Sequence, residues 1–294
     1  MIRVIVIKLM LRLMSLLPLR LIHALGAALG VLFFRFDNQL RRVARRNIDL
    51  CFPDWTPPQR RRLVRECLQE TAKAALETGG LWLWPPEHIL SKMRGISGVE
   101  LLEQGMARGK GVILVAPHLG AWEVAGLYCS RRWPMTTMYR PPRIQGLDAL
   151  MRGARERAGA TLARTDAGGV RTLYRALGRG ELVAILPDQD PDRESGVFAP
   201  FFGVPANTMT LLPRLARKSD ATVLLIYAER LPRGQGYHLY FLPADEGLFS
   251  DDPLVAARSL NRTVETAVRA LPAQYQWAYK RFKTRPPGED PVYS

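Results

Sequence analysis

His118 and Glu123 stand in a His-x4-Glu spacing inside GVILVAPHLGAWEVAG (111–126). A neutral imidazole takes a proton from an alcohol near pH 7. A carboxylate about one helical turn on can hold the ring in one tautomer and stabilise the imidazolium that forms. No serine or cysteine nucleophile lies between them. The pair therefore predicts direct acyl transfer onto a substrate hydroxyl, with no metal and no cofactor. The spacing is not specific alone. A turn histidine followed by a helix-start glutamate, favoured by the helix dipole, has the same signature.

The surrounding pattern says what must position these groups. Gly111–Pro117 reads as a buried strand and Trp122–Tyr128 as the opening of a helix, so the pair falls where a strand hands over to a helix. Further strands are expected at Met135–Tyr139, Leu182–Leu186, Thr222–Ala228 and Tyr237–Leu242. Helical spacing is expected near 37–50, 59–81, 99–108, 147–158, 168–179, 208–219 and 252–271. The alternation predicts an α/β fold with a mixed, mostly parallel sheet flanked by helices. Arg140 follows the second strand and so shares a sheet edge with His118. Asp188 and Asp190, in PDQD, follow the third strand at the same edge. Paired carboxylates invite a metal, but no third carboxylate or histidine is suitably spaced. A loop-anchoring role, tying down Arg140 or His118, suits them better.

Arg155 and Arg157, two positions apart on one expected helix, cannot share a face. One reaches the site; the other is solvated or binds a phosphate. In Ser195–Thr208, Phe198, Phe201 and Phe202 either wall an acyl-chain slot or belong to the core, and Thr208 opens and caps the next helix. Trp82 and Trp84, in an expected aromatic loop, face acyl chains, an interface or the core.

At 294 residues with 47% hydrophobic content, the chain is long enough for one sizeable core, and it carries no linker, repeat or low-complexity tract. Its net charge of +15 is uneven: residues 1–62 hold twelve Lys and Arg against three Asp. That balance suits nucleic acid, or anionic lipid together with an acidic carrier protein. No helix-turn-helix, zinc finger or RNP-like pattern is present, and the basic residues adjoin an apolar segment. Membrane is therefore expected and nucleic acid is not. The cysteines at 51, 67 and 129 match no disulfide framework or zinc site and read as small buried hydrophobes.

The first 36 residues, MIRVIVIKLMLRLMSLLPLRLIHALGAALGVLFFRF, are apolar but interrupted. Arg3, Lys8 and Arg12 fall on or near one helical face, and Pro18 breaks the pattern. The uninterrupted stretch Ala24–Phe34 is too short for a bilayer, which takes ~20 residues. No small-residue cleavage site precedes Arg35, against a secretory signal. The expectation is an N-terminal membrane anchor over 1–36, an interfacial helix then a hydrophobic segment, followed by a catalytic domain over 37–294. A buried helical hairpin is the alternative. If the segment spans, Arg41, Arg42, Arg45 and Arg46 sit at the headgroups on the cytoplasmic side.

Five blocks in order resemble the bacterial late acyltransferases of lipid A biosynthesis, the lauroyl and myristoyl transferases. They are RRVARRNIDLCFPDWTPPQRRRLVRE (41–66), APHLGAWEVAG (116–126), MYRPPRIQGLDALMRGARERAG (138–159), LPDQDPDRESGVFAPFFGVPANT (186–208) and YQWAYKRFKTRPPG (275–288). The wider glycerolipid acyltransferase superfamily usually has Asp where this chain has Glu123. Glu is what the lipid A branch and its mannolipid-acylating relatives carry, which favours a sugar hydroxyl over a glycerol hydroxyl by analogy. The resemblance implies transfer from an acyl carrier protein to an anionic glycolipid at the bacterial inner membrane, with the catalytic domain facing the cytoplasm. It implies His118 as general base oriented by Glu123. It also places Arg155 inward, with Arg140 and Arg155 binding phosphate or the developing oxyanion. A lysophospholipid, amino-acid lipid, mannolipid or pigment acceptor stays open, as does a lipid hydrolase using the same pair on water.

Overall fold

The computed structural model describes residues 2–142 and 144–293. Four helices come first: α1 (Ile2–Ser15), α2 (Leu19–Arg35), α3 (Gln39–Cys51) and α4 (Pro57–Leu83). A short α5 (Pro86–Leu90) leads into β1 (Met93–Ser97), α6 (Val99–Ala107), β2 (Val112–Val115) and α7 (Trp122–Arg132). Then follow β3 (Met135–Tyr139), α8 (Asp148–Glu156), β4 (Ala160–Arg164), α9 (Ala167–Gly178) and β5 (Leu182–Ile185). The chain ends through β6 (Gly196–Phe201), β7 (Val204–Met209), α10 (Leu211–Ser219), β8 (Thr222–Arg230), β9 (Tyr237–Pro243) and α11 (Pro253–Ala270).

Local chemistry sets the boundaries. Pro18, which has no N–H to donate, separates α1 from α2. The Asn38 side chain accepts from the Arg41 N–H at 3.0 Å and caps α3. Gln59 accepts from the Thr56 N–H at 2.8 Å, with Pro57 at the first position of α4. The stretch expected as an aromatic loop instead begins as helix: Leu81–Leu83 complete α4, and the Trp84 indole N–H donates to Ser15 O at 2.6 Å.

Among the described residues the main sheet has seven strands in the order β1-β9-β8-β2-β5-β3-β4, with β6 and β7 forming a separate antiparallel hairpin. Strands β8, β2, β5, β3 and β4 run parallel, β9 runs antiparallel to β8, and β1 is parallel to β9. This is the mixed, mostly parallel α/β architecture expected. The central strands VILV and LVAI are buried at every position, as strands covered on both faces must be. Ile113, Val115, Val183 and Ile185 pack into a core with α3, α4, α9, α10 and α11. Val112, Leu114, Leu182 and Ala184 point the other way, into a core with α5, α6 and α7. The edge strands β1 (MRGIS) and β4 (ATLAR) carry polar residues and too weak an alternation to be read in advance. The Phe- and Pro-rich loop proves to be the β6–β7 hairpin, so Thr208 lies inside β7 and caps no helix.

The N-terminal helices pack closely on α4. A Cβ at Gly30 would lie 2.2 Å from the Gln69 Cα, so the glycine is what permits the approach of α2. On its other side α1 exposes Ile2, Ile5, Val6, Leu9, Met10 and Leu13. Among the described residues no single helix is long and apolar enough to cross a membrane. Residues Leu19–Arg35 and Gln39–Cys51 pass such a test only together, across an 81° bend.

One buried polar cluster joins these parts. Arg230, at the end of β8, donates to both Glu77 oxygens, through Nε at 3.0 Å and Nη2 at 2.5 Å, and through Nη1 to Glu70 at 2.9 Å. Glu77 also contacts His23 of α2 at 2.9 Å and accepts from the Tyr237 hydroxyl at 3.2 Å. Burial alone would raise the Glu77 carboxyl. The charge of Arg230 and the hydrogen bonds from His23 and Arg230 bring it down to about 2. A carboxyl depressed in the folded state contributes stability above its unfolded value of ~4.3. That stability is lost as pH falls through the folded value of about 2. Denaturant midpoints over an acid pH series should therefore drop across this window. Glu77→Gln should flatten that drop while costing about 3–5 kcal/mol at neutral pH, because Arg230 is left uncompensated.

Candidate active site

Strands β2 and β5 are neighbours, yet the chain leaves them in opposite directions. From β2 it passes through α7 to β3, beyond β5; from β5 it reaches β8, beyond β2. Such a switch opens a crevice past the carboxyl ends of the two strands. His118 lies there after β2 and Asp188 after β5. The Asp188 carboxylate accepts from both the ring Nδ1 and the backbone N–H of His118, each at 2.9 Å. That contact requires the proton on Nδ1 and leaves the Nε2 lone pair free to act as a base. The side-chain amide nitrogen of Gln189 is 3.3 Å from Nε2, where an acceptor hydroxyl would have to arrive. Asp188 is 4% exposed. Burial would raise its carboxyl, but the charge of His118 and the hydrogen bonds it receives hold it below the usual carboxylate range.

The turn that carries His118 is clamped from three sides. The His118 carbonyl accepts from Gln276 N–H at 3.2 Å, and the Gly120 N–H donates to the Gln274 carbonyl at 3.0 Å. The Gly120 carbonyl accepts from Arg230 Nη2 at 3.1 Å. Gly120 has φ +59°, and a Cβ there would sit 2.0 Å from Ala228 O, so only glycine fits.

Glu123, on the first turn of α7, faces Arg155 of α8. The guanidinium donates from Nε to both carboxylate oxygens at 3.1 Å and from Nη2 to one at 2.5 Å. The orienting contact expected from Glu123 is thus made by Asp188, because β5 rather than α7 stands against the Nδ1 side of the ring. Glu123 instead holds Arg155, whose guanidinium is stabilised in its charged form: burial opposes the charge, but Glu123 more than offsets it. Both side chains line the mouth of an apolar pocket. Trp122, with its ring 5.4 Å from that of His118, forms the rim. The walls descend through Leu114, Ala116, Thr137, Ala160, Ala184 and Leu186. Trp82 and Ile89 close the side opposite the sheet.

A sequence model of the family described as bacterial lipid A biosynthesis acyltransferase matches residues 2–284. The chain belongs to that family. It is 33% identical to the lipid A biosynthesis lauroyltransferase of Escherichia coli (strain K12) over 273 residues, 92% of this chain and 88% of that one. It is 32% identical to the palmitoleoyltransferase of the same strain, covering 94% and 90% of the two chains. Against the myristoyltransferase of that strain the identity is 30%, covering 91% and 82%. The protein is therefore an acyl-transferring enzyme.

The remaining candidate residues of this acyltransferase take other places. Arg140 lies on the expected sheet edge but points outward, paired with Asp192 at 3.5 Å. Arg157 was expected in solvent or on a phosphate. It instead donates to the Leu81 carbonyl at 2.6 Å and to that of Trp82, because the carbonyls at the end of α4 lack helical partners. Asp190 anchors its loop: it accepts from Asn207 at 3.2 Å and from the Thr284 hydroxyl at 2.7 Å, and its N–H donates to the Tyr279 hydroxyl at 2.9 Å. Phe198 is half-buried on β6 and Phe201 and Phe202 are core, so none of the three walls the pocket. Thr208 is fully buried and binds Asn261 and Arg281. Gln189, Gln274 and Arg230 were not read from sequence. The only signal for Gln189 was its place inside PDQD.

Asp188→Asn should keep the fold but lower kcat by ~10²–10⁴, since an amide no longer holds the reactive tautomer. His118→Ala should do at least as much in steady-state assays. Treatment with EDTA should leave turnover unchanged, because both Asp188 oxygens face His118 and both Asp190 oxygens are already bonded. A loss restored by one specific metal would contradict this assignment.

Proposed function

We propose that this protein moves a fatty acyl chain from the thioester of an acyl carrier protein to a hydroxyl of a lipid A precursor. His118 is the general base. The observation that carries this reading is the Asp188–His118 pair beside an apolar pocket whose mouth holds the Glu123–Arg155 pair. The acyl chain lies in the pocket. As the acceptor oxygen attacks the thioester carbonyl, His118 Nε2 takes its proton. Arg155 stabilises the charge that develops on the carbonyl oxygen. Collapse of the tetrahedral intermediate breaks the carbon–sulfur bond, and the imidazolium returns the proton to the leaving thiolate. The products are an ester and a free thiol, and no covalent acyl-enzyme forms. Exposed Arg140, on the same sheet edge, is placed to meet a phosphate of the acceptor.

The site of action is the cytoplasmic face of the bacterial inner membrane. Two features support this. Ile2, Ile5, Leu9, Leu13 and Leu16 form an exposed apolar stripe along and just beyond α1, and basic α3 follows α2 after a sharp bend. Replacing Ile5, Leu9 and Leu13 together by Glu should reduce partition onto anionic vesicles at least about tenfold, since each buried aliphatic side chain is worth ~1.5–3 kcal/mol. Co-sedimentation at wild-type levels would place the anchor elsewhere.

Charge and the family together support the donor. A net charge of +15 steers an acidic protein partner and makes its association sensitive to salt. Steady-state kinetics should give a higher kcat/KM with an acyl carrier protein thioester than with acyl-CoA, an advantage that narrows as ionic strength rises. Equal efficiency with both donors at all salt concentrations would remove the carrier protein from the reading.

A further inference from the structure

The pocket has a direction. Met135 pairs with Ala160 and with Leu182, and Leu182 pairs with Val112, so these four share one level of the sheet. Ala116 and Leu186 stand four residues higher, about 13 Å at the usual strand rise. Met135 and Ala160 form the floor, and Ala116 and Leu186 lie near the rim. Helix α7 starts at the rim with Trp122 and Glu123 and runs down to the start of β3, facing this wall. Gly126 follows Glu123 by three residues, so it lies on the same face about 4.5 Å deeper.

Gly126 lines the pocket, and a Cβ built on it meets no atom within 4 Å. Gly30 and Gly120 are buried and permit a close contact, whereas Gly126 is half-buried at the pocket. Gly126 permits none. Glycine inside a helix is less stable than alanine, and here no packing partner compensates. The space it leaves belongs to the pocket.

We propose that Gly126 sets the length of acyl chain this enzyme accepts, by leaving open the passage from the upper third of the pocket to its floor. The inference rests on the reading that the acyl chain occupies this pocket. An extended chain advances ~1.25 Å per carbon, from single bonds of ~1.5 Å at near-tetrahedral angles. About four carbons reach the level of Gly126, and about ten reach the floor. A side chain at 126 blocks the lower carbons and leaves the upper ones in place. A side chain added at Ala160 blocks only the last.

The test is kcat/KM of the full-length enzyme with hexanoyl, octanoyl, decanoyl and dodecanoyl thioesters and a lipid A precursor as acceptor. For Gly126→Leu the ratio of hexanoyl to dodecanoyl efficiency should rise at least about tenfold over wild type, the discrimination a pocket exerts per misplaced methylene. Ala160→Leu should penalise decanoyl and dodecanoyl relative to octanoyl and leave the hexanoyl-to-octanoyl ratio where it was. Gly126→Ala should raise Tm by roughly 2 °C while shifting the ratio in the same direction by less. If Gly126→Leu does not fold, the Gly126→Ala ratio decides. Equal loss on every donor, or an unmoved ratio, overturns the proposal. Wild-type enzyme that transfers no chain at all, or His118→Ala that transfers as well as wild type, would instead overturn the acyl-transfer mechanism on which it rests.

Discussion

Arg230 carries a positive charge to a place where its side chain is 2% exposed, and four parts of the protein converge on it. Glu77 and Glu70 come from α4, and Glu77 brings with it His23 from α2 and Tyr237 from β9. A second hydrogen bond from Nη2 reaches the carbonyl of Gly120, in the turn that presents His118. A charge buried this deeply is tolerated only with its partners in place; removing one leaves the other uncompensated in a low-dielectric interior. The N-terminal helices, the ends of β8 and β9 and the His118 turn are therefore held in one arrangement. Gln274 reinforces it, bonding the backbone of Arg230 through its side chain and Gly120 through its carbonyl.

The three arginines considered for the site show how neighbours decide what a charge does. Arg155 and Arg157 sit two positions apart at the end of α8. Arg155 meets a carboxylate at the pocket mouth and is held charged there. Arg157 meets the unsatisfied carbonyls at the end of α4 and fastens that helix end beside the pocket. Arg140, two-thirds exposed, makes a long contact to a still more exposed aspartate, and such a pair is worth little. Its charge stays available to a ligand.

The pocket exists because small residues lie where branched ones would fill the space. Ala116, Ala160 and Ala184 line the sheet side, and Ala125, Gly126 and Ala154 the helix side. On the opposite face of the same strands, Ile113, Val115, Val183 and Ile185 pack solidly against helices. One sheet thus presents a closed face that supplies stability and an open face that holds the pocket. Helix α1, with its exposed apolar stripe, packs on the same α4 whose C-terminal end forms part of the pocket.

The strand–turn–helix around His118, the alternating pattern behind a mostly parallel sheet, the apolar N-terminus and the basic charge that follows were all legible in the chain. Each is a local property: periodicity, a proline, a run of arginines. The edge strands β1 and β4 were not, because short polar edges have little periodicity to read. Nor was the β6–β7 hairpin, whose prolines look like loop. Asp188 was legible at the same sheet edge, as an anchor for His118 or Arg140, but which carboxylate orients the ring was beyond any local argument. Glu123 is the nearer carboxylate in sequence, and Asp188 is 70 residues away. What brings Asp188 to the ring is the adjacency of β2 and β5. That adjacency depends on which buried apolar strands pair in the assembled sheet, and a side-chain pattern that is apolar at every position carries no record of its neighbour.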